Sequence, residues 1–253
     1  VQGVFEIKSE ASGLTRNVRQ CLDDFAIPLR LSSTVCAVHG KGRVESVTVA
    51  DVDQRGAVMP ATCRDIACDC LILSVGLIPE NETALSLGVG LDPATRGPRV
   101  DQSGACPEPG VFACGNCLHV SDLADYASEG GEAAGRAAAS YALSRRPAGA
   151  AAGRSSAAAS PERDLVPLKA GPGLLYAVPQ FVDPGLPGKA VLSFRSNSTL
   201  KAGARLVLRA DGREIASKIF RALRPPEMER LEFDAGAVPD AACALQLDLE
   251  RRQ

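Results

Sequence analysis

Hydrophobic and polar positions fall into two regimes along the chain, with a short featureless stretch between them. In the first, apolar runs suited to strands alternate with helical patterns. Residues 1–8, VQGVFEIK, predict a buried strand ending at Glu6. Leu14, Val18, Cys21, Leu22 and Phe25 recur on one face and predict a helix over 14–25. IPLRLSSTVCAVHGKGRVESVTVADVD predicts a short strand and then a two-stranded ribbon turning at Gly40-Lys41-Gly42. CDCLILSVGLIPEN is continuously apolar, the mark of a strand buried on both faces. It stops at Gly76, and Pro79 bars an immediate helix. GVFACGN predicts another strand, and from near Asp122 a long helix rich in Gly and Ala follows. This alternation predicts an α/β domain with a mainly parallel sheet.

The stretch 144–164 is rich in Ala, Ser and Arg and lacks branched apolar residues between Ser144 and Arg163. It reads as a linker, because it buries too little surface to offset its ordering entropy. Beyond it, KAVLSFRSN, ARLVLRADGREIASKIF, ERLEFDAG and CALQLDLE alternate with period two. Asp211-Gly212 supplies the positive-φ turn of a tight hairpin. Residues 165–253 therefore predict a small all-β sandwich.

Composition narrows the function classes. A chain of 253 residues has room for two cores. A net charge of −2 and a pI near 5.8 give no nucleic-acid footprint and no basic membrane patch. No apolar run approaches the roughly 18 residues of a bilayer span. The N-terminus lacks Met and any basic-then-apolar leader, so the expectation is a fragment whose upstream portion is missing. Nine scattered cysteines fit reduced thiols and a cytoplasmic location.

The chemistry concentrates at Gly115-Asn116. A glycine at the end of a strand lets a ligand approach the backbone, and Asn116 offers an amide to a sugar hydroxyl or phosphate. The following helix points free N–H groups and its positive dipole end at the same crevice. Yet no G-x-G-x-x-G occurs anywhere, and an ordinary strand-turn-helix packed with small residues gives the same pattern. Cys114-Gly-Asn-Cys117 has redox spacing, but Cys114 would lie inside the strand, away from the exposed helix terminus that activates a thiol. Cys68 and Cys70 could complete a zinc site with that pair, or serve as small apolar filler. His119 could shuttle a proton, or simply be hydrogen-bonded in a loop. Asp122 and Asp125 suit the opening turn of the helix.

Gly76-Leu-Ile-Pro79-Glu-Asn81, Val100-Asp101 and Gly115-Asn116 occur in fixed order. In that register the chain, from its start to about residue 143, resembles the pyridine nucleotide-disulfide oxidoreductase superfamily, flavoproteins with paired FAD and NAD(P) domains. GNCLHVSDLADYASEGGEAAGRAA is most similar to the sarcosine, opine and hydrogen-cyanide-forming oxidoreductases and to flavoproteins accompanying anaerobic glycerol-3-phosphate dehydrogenases. The resemblance implies a partial two-dinucleotide-domain, Rossmann-like flavoprotein. Residues 1–75 would be the later half of the NAD(P)-binding domain, and 76–143 the closing segment of the FAD domain. FAD would rest against Gly76, Gly115, Asn116, Asp122, Leu123 and Ala124. Glu6 would accept hydrogen bonds from the adenosine ribose and repel a 2′-phosphate, favouring NAD(H) over NADP(H). Asn116 stands where Asp is commoner, and Cys106 where Thr is frequent; no role follows for Cys106. Electrons would pass between NAD(H) and a small substrate or a partner redox subunit. The alternative is a non-catalytic binding or assembly subunit that keeps the fold. The β-domain would cover the flavoprotein or dock a partner, and an oligomer is expected.

Overall fold

The structure is a computed structural model that describes residues 1–145, 164–186, 188–239 and 241–251. It is of mixed α/β type and divides into two compact units, Val1–Gly76 and Leu77–Gln253. Most of the expected linker, 146–163, lies outside the described residues.

In the first unit β1 (Val4–Phe5) pairs in parallel with β2 (Leu29–Arg30). Between them α1 (Thr15–Cys21) runs into a 3-10 turn at Asp23–Phe25. The strand expected over 1–8 is thus only two residues long, and partly exposed, because one short neighbour is all that pairs with it. β3 (Ser33–His39), β4 (Ser46–Asp51) and β5 (Arg64–Ala67) form an antiparallel meander in the order β3-β4-β5. Gly40 permits the first reversal: its φ is 136°, and a Cβ there would sit 1.9 Å from the Arg43 carbonyl oxygen. Val47, Val49 and Ala50 of the central strand form the small core.

Two expectations fail here. The sheet is not mainly parallel, since β1–β2 is the one parallel pair described in this unit. The apolar run after Cys68 is not a buried strand but irregular chain, with Ile72 85% and Val75 90% exposed. A strand buried on both faces needs a neighbour on each edge and a layer on each face, and no described segment pairs with this one.

The second unit opens with Asn81 and the short α2 (Glu82–Ser86). The loop 88–117 is held by single bridges, Leu91 to Pro98 and Ala105 to Phe112. The expected GVFACGN strand is therefore reduced to one bridge. α3 (Ala124–Ser144) follows, beginning two residues later than the sequence suggests.

The remainder, called the β-module below, has two sheets. β6 (Val166–Ala170), β8 (Phe181–Val182), β10 (Ala204–Ala210), β11 (Arg213–Phe220) and β13 (Leu245–Arg251) order as β11-β10-β13-β6-β8. β7 (Leu174–Val178), β9 (Lys189–Ser196) and β12 (Glu229–Asp234) order as β12-β9-β7. Period-two alternation sends Leu192 and Phe194, Leu206 and Leu208, and Leu245 and Leu247 into one core shared by both sheets. Phe194 meets Phe220 edge-on at 5.5 Å within it. Asp211 (φ 45°) and Gly212 (φ 87°) make the β10–β11 hairpin turn, and the Asp211 carboxylate accepts from the Cys243 and Ala244 amides.

The outward face of the three-stranded sheet is not a solvent face. Val178, from β7, is buried in a second core with Val89, Val100, Cys106, Ala113 and Leu118. Backbone and side chains stitch the join: the Gln180 and Phe181 amides donate to the Val100 carbonyl at 3.0 and 3.1 Å, and the Val100 amide donates to Gln180 Oε1 at 3.1 Å. Gln102 donates to the Asp183 carbonyl at 2.7 Å and accepts from its amide at 2.9 Å.

Candidate functional site

Gly115 ends the loop that leads to α3. Its φ is 70°, and nothing lies within 4 Å of where a Cβ would stand, so its backbone faces open space. A 3-10 turn at Gly115–Cys117 follows. Asn116 is exposed, and its Oδ1 accepts from the Ser121 amide at 3.0 Å, closing the loop on itself.

Asn81 fixes this turn from beneath. It is 8% exposed, and its Nδ2 donates to the carbonyls of Arg96 and Cys117, both at 2.8 Å. The sequence placed Asn81 in a motif but gave it no task, because its partners lie 15 and 36 residues away. Gly97 allows the approach, since a Cβ there would stand 1.8 Å from the Leu118 carbonyl oxygen. Asn81→Ala should lower the stability of the second unit by about 1–3 kcal/mol for each carbonyl left without a donor. Urea titration followed by circular dichroism measures it, and an unchanged midpoint would show that water replaces the amide.

α3 begins at Ala124 with Leu123 as N-cap, and no side chain caps its first N–H groups. Those groups and the positive dipole end are open to an acceptor from outside the helix. The Asp122 carboxylate does not occupy that position. It turns into the β-module, where Oδ1 accepts from Arg195 Nη2 and Oδ2 accepts from the Met228 amide at 2.6 Å. Arg195 is saturated as well, donating to the Tyr176 hydroxyl at 3.0 Å and to the carbonyls of Val120 and Pro226. The Asp122 and Arg195 side chains are only 12% and 13% exposed.

His119 packs against Tyr176 with ring centroids 6.0 Å apart. Burial pushes its pKa down to about 4, against the pull of the Val120 backbone and Asp122, so the ring is neutral at physiological pH. Its Nδ1 is buried with no partner in hydrogen-bonding geometry. The ring thus serves as a neutral donor or acceptor rather than a charge.

The C-x-x-C thiols are unpaired, and Cys117 Sγ donates to the Cys114 carbonyl at 3.0 Å. Cys114 is half-buried rather than inside a strand, and Cys70 is exposed rather than facing a core. Burial first, then Glu108, pushes the Cys106 thiol up to about 11, which leaves it unreactive. Among the described residues no cluster of three or more His, Cys, Asp or Glu could hold a metal ion, and no helix is long and apolar enough to cross a membrane.

Of the residues singled out in the sequence, Gly115, Asn116, Asp122, Leu123 and Ala124 lie together on one loop of the second unit. Gly76 is the last residue of the first unit, with φ 101° and open space at its Cβ position. Glu6 also belongs to the first unit, where its carboxylate accepts from the Lys8 amide at 3.0 Å and from the amide and hydroxyl of Ser12. Partial burial would raise its pKa, but these hydrogen bonds prevail and lower it.

Residues 7–131 match the family model of the pyridine nucleotide-disulphide oxidoreductases. The match covers just under half of the chain and supports a likeness to that superfamily. Among solved structures, the chain is similar to the thioredoxin reductase of Lactococcus lactis in its FR conformation. That pair is 20% identical with a TM-score of 0.46, covering 56% of this chain and 46% of the other. It is also similar to HlmI, at 22% identity and a TM-score of 0.31, covering 52% of this chain and 37% of that one. The chain spans less than half the length of either of these structures. No curated protein matches it.

Proposed function

We propose that the chain is part of an FAD-dependent oxidoreductase that exchanges electrons between NAD(H) and a small substrate or a partner redox subunit. The observation that carries this reading is the uncapped start of α3 beside Gly115. A positive-φ glycine with open space at its Cβ position adjoins a 21-residue helix whose first N–H groups have no side-chain cap. That combination suits the carbonyl edge of a flavin ring. Bound FAD would supply the hydride and electron chemistry, which the protein steers by placement and electrostatics. Gly115 and the backbone of Leu123 and Ala124 would hold the flavin, and the dipole end of α3 favours the negative charge of its reduced form. Asn116 would supply an amide to the ribityl chain.

Glu6 would receive the adenosine ribose of NAD(H), sharing its carboxylate with Ser12 or displacing it, and its charge disfavours NADP(H). Within the superfamily, the chain belongs with the sarcosine, opine and hydrogen-cyanide-forming oxidoreductases and the flavoproteins accompanying anaerobic glycerol-3-phosphate dehydrogenases. The β-module is a small β-sandwich that braces the flavin loop. The enzyme acts in the cytoplasm as an oligomer.

The test is the protein expressed from its complete reading frame. It should purify with flavin absorbance that NADH bleaches under anaerobic conditions faster than NADPH does, and Gly115→Val should remove the flavin without loss of helix signal. A colourless product would leave the non-catalytic assembly subunit as the reading. The 253-residue chain alone should form no stoichiometric complex with added FAD, and a tight yellow one would overturn the proposed division of the flavin site.

A further inference from the structure

The seam between the β-module and the 100–133 segment holds a half-open cavity of about 290 Å³. That lies at the lower end of the roughly 300–1,000 Å³ typical of small-molecule sites. It is lined from one side by Leu118, His119 and Ser121, and from the other by Val178, Lys189 and Ser193. Strand β9 explains why polar side chains stand there. Its even-numbered residues, Ala190, Leu192 and Phe194, fill the β-module core, so Lys189, Val191, Ser193 and Arg195 all face the other way. Arg195 reaches Asp122, while Lys189, Val191 and Ser193 line the cavity.

The charges of the lining are unequal in what they have already bound. Glu129 is paired with Arg230 at 2.8 Å, and Arg230 also stacks over Tyr126 at 4.6 Å. Asp101 is 1% exposed, and its Oδ1 accepts from the Ser103 amide, the Ser103 hydroxyl and the Ala105 amide. Lys189 differs: among the described residues it has neither an ion pair nor a side-chain hydrogen bond. The Ser121 and Ser193 hydroxyls likewise have no partner among the described residues, and His119 Nδ1 is buried without one. The residues carrying this ammonium, the two hydroxyls and the neutral imidazole nitrogen all line a space otherwise walled by Leu118, Val178, Val191 and Met228.

We propose that this seam cavity binds a small monocarboxylate, its carboxylate on Lys189 with the Ser121 and Ser193 hydroxyls, its short apolar body against Val178, Val191 and Met228. A single ammonium with hydroxyl donors matches one negative charge. A dianion such as phosphate would call for the bidentate arginine that this lining lacks, since Arg230 is already committed to Glu129. Gly115 also lines the cavity, which therefore adjoins the loop read above as the seat of the flavin; the titration below is made without flavin, so its outcome is distinguishable from that of the redox reading.

The 253-residue chain, titrated with butyrate and followed by two-dimensional amide NMR, tests this. Butyrate should give saturable shifts centred on residues 118–121 and 189–193 and on Val178 and Met228, while butan-1-ol, butylammonium and inorganic phosphate give none. Lys189 is exposed, so Lys189→Met should fold as the parent does and weaken butyrate binding about tenfold or more, the usual scale for losing a charged hydrogen bond. Ser193→Ala should weaken it less, and Lys201→Met, outside the cavity, should leave it unchanged. Absence of saturable shifts, equal shifts with butan-1-ol, tighter binding of phosphate, or full affinity in Lys189→Met would each overturn the proposal.

Discussion

Asp122→Ala is expected to destabilise the second unit by about 3–5 kcal/mol, the usual cost of removing one member of a buried ion pair. The variant leaves the Arg195 guanidinium charged and 13% exposed, and it strips the Met228 amide of its acceptor. Tyr176, Val120 and Pro226 would still accept from Arg195, but they are neutral and cannot balance its charge. The companion double variant Asp122→Ala/Arg195→Met should recover much of the loss, because an apolar side chain in this half-buried place needs no counter-charge. Chemical unfolding of the three proteins gives the coupling directly. Equal losses in the single and double variants would mean that Asp122 matters through the Met228 amide alone.

That pair also defines what the β-module does to the loop before α3. Arg195 binds both the carboxylate of Asp122 and the carbonyl of Val120, and Tyr176 packs on His119. His119, Val120 and Asp122 are therefore positioned by side chains more than fifty residues downstream. On the redox reading the module sets the geometry with which the loop meets a flavin, without reaching the flavin itself.

How far the sequence anticipates the structure depends on how local the cause is. The β9, β10–β11, β12 and β13 strands follow from period-two alternation, and the hairpin at Asp211-Gly212 from the need for two positive φ values, both local properties. The helix after Gly115 is equally local. Strands β6, β7 and β8 escaped notice because Pro167 and Pro179 interrupt the apolar pattern and because β6 finds its parallel partner, β13, far along the chain. The apolar run at 71–78 misled in the opposite direction, since apolarity signals burial only when other segments supply the layers. At the candidate site, Gly115 and Asn116 were legible as a loop-helix junction. Asp122 was legible only as a first-turn acid, and its partner Arg195 reads in isolation as an outward residue of an alternating strand. Asn81 was visible in a motif, but its two carbonyl partners could be found only in the fold.

Acid should expose His119 as a second large contributor. Its folded pKa, lowered by burial to about 4, lies below the ordinary 6.5, so the unfolded chain binds the proton more readily. Between those two values the unfolded state holds more protons, and stability must fall as the pH falls. The stabilisation associated with the neutral buried ring is complete above pH 6.5, declines through the window, and is exhausted near pH 4. The gap corresponds to about 3 kcal/mol. Carboxylates held low by hydrogen bonds, such as Glu6, lose stability over a lower range, so the measurement must be a difference. His119→Gln keeps polar atoms in the same place but does not titrate. The stability of the parent chain minus that of His119→Gln, measured by urea unfolding at closely spaced pH values, should drop by about 3 kcal/mol from pH 6.5 to 4 and be level above and below. A difference that stays flat throughout would mean that the folded ring is solvated, or that it takes up its proton alongside Asp122 despite Arg195, and the picture of a largely desolvated, neutral imidazole at the seam would fail.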